Sequence, residues 1–156
     1  MTLSDLKVNF PDATEETWHQ HSKGGGWVEN TATVDDTAFV GPDAVVSGDA
    51  VVSSEAMVYA NAGISGNARV SGYASVSGYA RVSGNASVSG YASVSGEARV
   101  SGIARVYGDA LVSGNATVYG NARVSGNADV SGYARVAGNA DVSGDDVVSD
   151  NIRVLW

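Results

Sequence analysis

The stretch Val82-Ser83-Gly84-Asn85-Ala86-Ser87, followed at once by Val88-Ser89-Gly90-Tyr91-Ala92-Ser93, decides the fold of this chain. It is part of a six-residue repeat that runs from Val28 to Val154 without an insertion or a deletion. The aliphatic position occurs 22 times and is valine everywhere except at Ile64. Alanine stands four residues after it in an unbroken series from Ala32 to Ala140. A short fixed period of this kind indicates a repeat protein.

Each six-residue unit predicts one short strand and one corner. Ala86, Ser87 and Val88 alternate inward, outward and inward, as in a strand. Glycine at the third position of the unit, as in Gly84, suits a sharp corner because it tolerates positive φ and close backbone approach. Valine and glycine in every unit disfavour a helix. We therefore expect three sides to close a triangular coil of about 18 residues per turn, with each strand paired in parallel to the strand one turn along.

The run NARVSGYASVSGYARVSG at residues 67–84 resembles the hexapeptide-repeat, or isoleucine-patch, superfamily. An aliphatic residue followed four places later by a small one is the pattern of that family, and it extends over residues 28–154. The chain departs from the family in having serine, where glycine is commoner, directly after the aliphatic residue. The resemblance implies an all-β, single-stranded, left-handed parallel β-helix of about seven turns. It also implies self-association, with a trimer favoured, although another structural protein is an alternative partner.

The repeat divides the chain into an N-terminal extension, residues 1–27, and a β-helix, residues 28–156. We expect the extension to cover the first open rung, because repeat arrays need their ends capped. Three aromatic residues are available as apolar cover: Phe10, Trp18 and Trp27.

Inside the extension, a short helix is predicted over Asp12–His21. Asp12 would cap it, and Glu15 stands three residues later as the capping-box partner. The run Ser22–Gly26 would end the helix.

At the other end, the alanine series lapses at Asp146 and Ile152. Asp146 would point inward if the register continued, at a cost of a few kcal/mol. We therefore expect the last turn to loosen there, with Leu155 and Trp156 folding over the bottom rung or meeting another chain.

Charge is unevenly distributed in this chain, whose formal net charge is −8. Residues 1–55 hold ten acidic residues against two lysines, while residues 56–156 hold seven acidic residues and seven arginines. Because the basic residues are balanced or outnumbered by acidic ones in both parts, we do not expect nucleic-acid binding. We see no signal peptide and no apolar run long enough for a membrane span, so a cytoplasmic or virion-associated protein is expected.

Few residues offer metal or acid–base chemistry. The chain has no cysteine, and its only histidines are His19 and His21, which we expect to be solvated. Neither has the further ligands that a zinc site needs, so no metal or cofactor is predicted. Six acidic residues cluster in the first two turns and are also expected to be solvated: Glu29, Asp35, Asp36, Asp43, Asp49 and Glu55.

The outward mid-strand positions separate into three columns when every eighteenth residue is taken. Two of these columns hold all seven arginines. One reads Thr33, Val51, Arg69, Ser87, Arg105, Arg123, Asp141, and the other reads Val45, Gly63, Arg81, Arg99, Thr117, Arg135, Arg153. The third, without arginine, reads Phe39, Met57, Ser75, Ser93, Leu111, Asp129, Val147. A flat face with little charge favours a partner, so the candidate interface comprises Phe39, Met57, Ser75, Ser93, Leu111, Val147 and the terminal Trp156.

Corner tyrosines are a second surface feature. Tyr73 and Tyr91 are expected to stack on one corner, and Tyr79 and Tyr133 belong to another. Exposed tyrosine beside arginine could bind sugars or bases. The alternative is that tyrosine is simply compatible with a stacked ladder.

The superfamily that the repeat resembles includes acyltransferases, which use a histidine as base. Residues 28–156 contain no histidine, no cysteine and no looped-out insertion, so no catalytic residue is predicted and an enzyme is not expected. We expect a non-catalytic rigid module for assembly or binding. An acyltransferase and an ice- or carbohydrate-binding surface are the alternatives. The lead-in Gly24–Val28 is similar to that of solenoids encoded by bacteria and phages, which places a virion or surface appendage among the expected settings.

Overall fold

The computed structural model describes all 156 residues and shows an all-β parallel β-solenoid of about seven turns. Three sheets, called A, B and C, form its sides, and successive strands of the repeat belong to successive sheets. Sheet A contains β1 (Trp18–Gln20), β2 (Trp27–Glu29), β5 (Val45–Val46), β8 (Gly63–Ile64), β11 (Arg81–Val82), β14 (Arg99–Val100), β17 (Thr117–Val118), β20 (Arg135–Ala137) and β23 (Arg153–Leu155). Sheet B contains β3 (Thr33–Val34), β6 (Val51–Val52), β9 (Arg69–Val70), β12 (Ser87–Val88), β15 (Arg105–Val106), β18 (Arg123–Val124) and β21 (Asp141–Val142). Sheet C contains β4 (Phe39–Val40), β7 (Met57–Val58), β10 (Ser75–Val76), β13 (Ser93–Val94), β16 (Leu111–Val112), β19 (Asp129–Val130) and β22 (Val147–Val148).

The strand register confirms the predicted turn of 18 residues. Ser87 of β12 pairs with Arg69 of β9 on one side and with Arg105 of β15 on the other. The same parallel pairing holds from Val28 to Val154. Each residue of the repeat therefore lies directly over its equivalent one turn away, and the outward positions form columns.

The core is the interior of the prism, filled by the valine and alanine rows. Val88 and Ala86 are fully buried, as are their equivalents through the middle turns. These residues form one continuous cluster, with Ala32, Val34 and Val154 only partly buried at its two ends. The predicted in/out alternation is confirmed because Ser87, between Ala86 and Val88, lies on the outside.

The corners are formed by glycine in the left-handed backbone region. Gly96 has φ of 68°, and a β-carbon added there would lie 2.8 Å from the carbonyl oxygen of Gly114 in the next turn. At Gly96, glycine is therefore favoured both by backbone conformation and by close stacking. Ser54, Ala60 and Asp150 occupy the same corner position with φ of 60°, 56° and 59°.

The N-terminal extension does not form the helix predicted over Asp12–His21. Its helix is α1 (Leu3–Leu6), which Thr2 caps, and Trp18–Gln20 form β1, which pairs antiparallel with β2. The local capping pattern at Asp12 and Glu15 does not produce a helix, because the free edge of sheet A offers hydrogen-bonding partners to β1. The predicted breaker Ser22–Gly26 serves as the loop of this hairpin.

Backbone hydrogen bonds of the extension close the edges of sheets A and C at the first rung, and the aromatic residues do not have the covering role expected of them. Lys23 O accepts a hydrogen bond from Val40 N, and Gly26 N donates to Val40 O, so the hairpin loop also closes the edge of sheet C. The aromatic cluster lies elsewhere. Phe10, Trp18 and Trp27 pack with Leu6 and Ala13 against Val45, an outward residue of sheet A.

The last turn keeps the register, so the expected loosening at Asp146 is wrong. Asp129 N donates to Asp146 O, as an interior rung would require. Asp146 is exposed, and its Oδ2 accepts a hydrogen bond from Ser143 N at 3.3 Å. The carboxylate is tolerated because it remains in contact with solvent. Leu155 and Trp156 are 52% and 79% exposed and do not fold over the rung.

Candidate functional surfaces

The outer face of sheet C contains the predicted interface column. Six of the seven candidate residues lie in one register on this sheet, with Asp129 between the last two: Phe39, Met57, Ser75, Ser93, Leu111 and Val147. Met57, Leu111 and Val147 are 43%, 46% and 66% exposed. Trp156 does not belong to this face, because it follows β23 at the end of sheet A. The structure therefore brings together a flat column that contains no arginine.

Asp129 is the only charged residue in the sheet C column. It pairs with Leu111 on one side and Val147 on the other. Its Oδ1 is buried and has no hydrogen-bond partner. The carboxylate therefore packs partly against the neighbouring side chains of Leu111 and Val147.

Tyr59 lies at the corner beside the sheet C column and contacts it. Its hydroxyl accepts a hydrogen bond from Ser75 Oγ at 3.4 Å. Hydrogen bonds from Ser75 and then Ser77 lower the pKa of Tyr59 from its ordinary value of 10.0. This corner of the face is thus polar.

A groove of about 680 Å³ separates the N-terminal extension from the outer face of sheet A. Phe10 and Val45 form its apolar wall, and Tyr79 and Arg81 lie on the opposite side. Its floor is Gly63, the one outward residue of the column without a side chain, and a β-carbon there would lie 3.0 Å from Arg81 Nη1. Sequence reasoning missed this groove because the fold of residues 1–17 could not be read, although Gly63 was a visible gap in the column.

The outer face of sheet B has a polar depression. Its floor is Ser87, with Arg69 on the turn before and Arg105 and Arg123 on the two turns after. Two corners form its rims, one with Asn67, Asn85 and Ile103 and the other with Ser89 and Tyr107. The sequence placed these arginines in one column, but the concave shape between them follows only from the structure.

The two histidines have different environments. His19 is exposed and lies 2.7 Å from Asn30 Oδ1 through its Nδ1. His21 is only 6% exposed, so the expectation of a solvated pair is wrong for this residue. Its Nε2 donates to the carbonyl oxygen of Ala38 at 3.0 Å, because a carbonyl can only accept. His21 therefore ties the hairpin loop to the first turn.

Two acidic residues of the first turn form hydrogen bonds to backbone: Asp35 is exposed, as predicted, whereas Glu29 is half-buried. Glu29 Oε2 accepts a hydrogen bond from Gly48 N at 2.6 Å, and Asp35 Oδ2 accepts one from Ser54 N at 3.0 Å. Both carboxylates therefore satisfy corner amides of the next turn. No group of three histidine, cysteine, aspartate or glutamate residues is close enough to hold a metal ion.

The tyrosine ladder is confirmed where the tyrosines occupy neighbouring turns. The rings of Tyr73 and Tyr91 are stacked, with centroids 5.1 Å apart and planes 4° apart. Tyr79 and Tyr133 share another corner, but Glu97 and Asn115 separate them. The stacked pair thus fits the structural alternative, in which tyrosine extends the ladder.

Comparison with known proteins gives one match. The YdcK beta solenoid repeat family matches residues 62–78, 80–96, 104–120, 112–126 and 116–132. These segments lie within the regular turns and together span less than half of the chain. No curated protein and no solved structure matches the chain. The four-residue α1 is the only helix, so no helical segment has the length and apolar character of a membrane span.

Proposed function

We propose that this chain is a non-catalytic, rigid module that associates with further copies of itself through the outer face of sheet C. One observation carries the proposal: this face exposes Met57, Leu111 and Val147 in one column, while sheets A and B hold all seven arginines. Large apolar side chains exposed on a face with little charge favour a protein partner.

A second copy of the chain suits this face because the face carries little charge. Asp129 is its only acidic or basic mid-strand residue, so two copies of the column would meet with little repulsion. Sheets A and B would instead bring arginines together, at an electrostatic cost. A flat column seven strands long also offers the extended contact that a stable interface needs.

The rigidity follows from the backbone. Ladder hydrogen bonds such as Ser87 N to Ala104 O, at 2.9 Å, recur at each strand through the regular turns. Side chains of the interior stack on identical side chains one turn away. A prism of about seven turns spaced about 4.8 Å apart is thus a strut some tens of ångströms long. We infer a left-handed coil from the resemblance of the repeat, and a virion or bacterial surface appendage as its setting from the lead-in Gly24–Val28.

Light scattering of purified variants tests the assembly. Ser93→Arg places a charge at the centre of the sheet C column, and we expect it to lower the mass of the assembly. Thr117→Arg is the matched control because it adds the same side chain at the same strand position of sheet A, beside Arg99 and Arg135. A wild-type chain that is monomeric at high concentration, or equal masses for both variants, would overturn the proposal.

A further inference from the structure

We propose that the depression around Ser87 on sheet B binds a tetrahedral oxyanion, namely the phosphate or sulfate group of a small ester. The depression is defined by Arg69, Ser87, Arg105 and Arg123, which occupy four successive turns. This proposal does not depend on the self-association proposed for sheet C, because the depression lies on a different face.

No arginine of the depression is within salt-bridge distance of a carboxylate, and the one acidic residue in register with the cluster is Asp141, the cross-strand partner of Arg123 at its far end. The salt bridges of the chain are formed by the N-terminal ammonium with Asp43 and by Lys23 with Glu55, and no arginine takes part in one. Arg105 and Arg123 are direct cross-strand partners. Like charges in this position repel, and an anion bound over Ser87 beside Arg105 would offset part of this repulsion. This is notable in a chain of net charge −8.

The shape of the depression depends on Ser87. It is the one small residue between arginines in this column, with Arg69 and Arg105 as its neighbours. Strands are about 4.8 Å apart, so these two backbones are roughly 10 Å apart across the serine. That gap leaves room for an anion over the serine hydroxyl, with a guanidinium on each side.

The donors of the depression match the chemistry of an oxyanion. Planar guanidinium groups bind phosphate and sulfate oxygens in pairs through two N–H donors. Ser87 supplies a hydroxyl, and Asn67 and Asn85 supply amide groups from one rim. The opposite rim has the half-exposed Tyr107, against which the organic part of an ester can pack.

The limited extent of the cluster favours a small ligand over a nucleic acid. Three arginines lie within about 15 Å along one face, as the strand spacing requires. The acidic excess of the chain lies in its first 55 residues, toward one end of the same prism. A long polyanion would meet that negative charge.

Calorimetric titration at low ionic strength tests the site, with four probes: inorganic phosphate, inorganic sulfate, glucose 6-phosphate and glucose 6-sulfate. We expect at least one ester to bind, and Arg105→Ser to raise its Kd at least tenfold. Serine is already present in this column, so the substitution suits the strand. Arg135→Ser on β20 of sheet A is the matched control and should leave the Kd unchanged.

Lowering the pH distinguishes the two sources of the anion. A phosphate monoester loses its second charge below pH of about 6, whereas a sulfate ester keeps its charge. We therefore expect glucose 6-phosphate to bind more weakly below this pH and glucose 6-sulfate to bind as before, and the ester with the lower Kd above this pH identifies the source of the anion.

Ser87→Arg separates a built site from a general attraction to positive charge. The variant fills the floor and adds a cation, so we expect binding to be lost. Stronger binding by Ser87→Arg, equal weakening by Arg135→Ser, or no heat from any of the four probes would each overturn the proposal.

Discussion

At the residue scale, the corner glycines satisfy two requirements, positive φ and close stacking on the next turn. The last turn allows the two requirements to be measured separately. Gly96 and Gly144 both have positive φ, at 68° and 65°. A β-carbon at position 96 would lie 2.8 Å from the carbonyl oxygen of Gly114, whereas at position 144 it would meet nothing within 4 Å. Stacking on the next turn thus constrains one glycine and not the other.

We expect Gly96→Ala to lower the free energy of unfolding by about 3 kcal/mol or more. Part of this is the cost of about 1 to 2 kcal/mol for alanine in the left-handed region, and the rest is the clash with the next corner. Gly144→Ala should cost only the first part. Urea denaturation of both variants measures the difference. Equal losses would show that stacking adds nothing to the need for glycine.

The residue pattern allowed the interior to be predicted almost completely. Val88 and Ala86 could be assigned inward because each unit has the same alternation, and the repeat leaves one consistent solution. Asp146 shows the limit of this reasoning. Its backbone obeys the repeat, but its side chain is tolerated because the last turn leaves it exposed, where Oδ2 contacts Ser143 N.

At the element scale, the extension was less predictable than the repeat. The strand Trp18–Gln20 exists because it pairs with Trp27–Glu29, and residues 18–20 carry no alternating pattern of their own. The start of α1 depends on a capping box in which Thr2 and Asp5 bond to each other. The groove against sheet A, and the depression on sheet B, need the arrangement of elements in space and not only their order.

The capping box makes the docking of α1 sensitive to acid. The backbone hydrogen bond from Thr2, and then the one from its side chain, lower the pKa of Asp5 from its ordinary value of 3.8. A carboxyl group with a lowered folded-state pKa stabilises the folded segment above its unfolded pKa, and this contribution is lost as the pH falls through the folded value. The packing of α1 should therefore loosen below pH of about 4.

Tryptophan fluorescence can follow this loosening, because Trp27 Nε1 donates to the carbonyl oxygen of Met1 at 3.1 Å. We expect the acid-induced change to be reduced in Asp5→Asn, whose amide cannot titrate. Asp12→Asn removes an exposed carboxyl group of the same extension and should keep the wild-type profile. A wild-type profile in Asp5→Asn would show that another group controls the change.

At the scale of the whole molecule, the solenoid is close to one-dimensional. Each turn pairs only with the turns directly before and after it, as β12 does with β9 and β15. Stability in such arrays is approximately a sum over turns and their interfaces. The surface columns, in contrast, depend on keeping 18 residues per turn, so a change in chain length affects the core and the faces differently.

Three deletions separate these two requirements. Removing residues 85–102 deletes one complete turn, so both the valine row and the columns continue in register. Removing residues 85–90 deletes one strand and one corner, so valine stays inward. Every later strand then moves to the neighbouring side of the prism, and the sheet C column before the deletion continues into residues that belonged to another sheet. Removing residues 85–93 places Glu97 in the valine row, where a buried carboxylate without a partner is costly.

We expect the 85–102 deletion to fold and to associate like the wild type, with a denaturant slope smaller by roughly one seventh, because less surface is exposed on unfolding. The 85–90 deletion should fold but lose association, since its sheet C column is interrupted. The 85–93 deletion should lose its cooperative transition. Far-UV circular dichroism, urea denaturation and light scattering measure these outcomes. Intact association of the 85–90 deletion would show that copies do not meet along sheet C, while a stable 85–93 deletion would show that the six-residue unit does not set the register of the core.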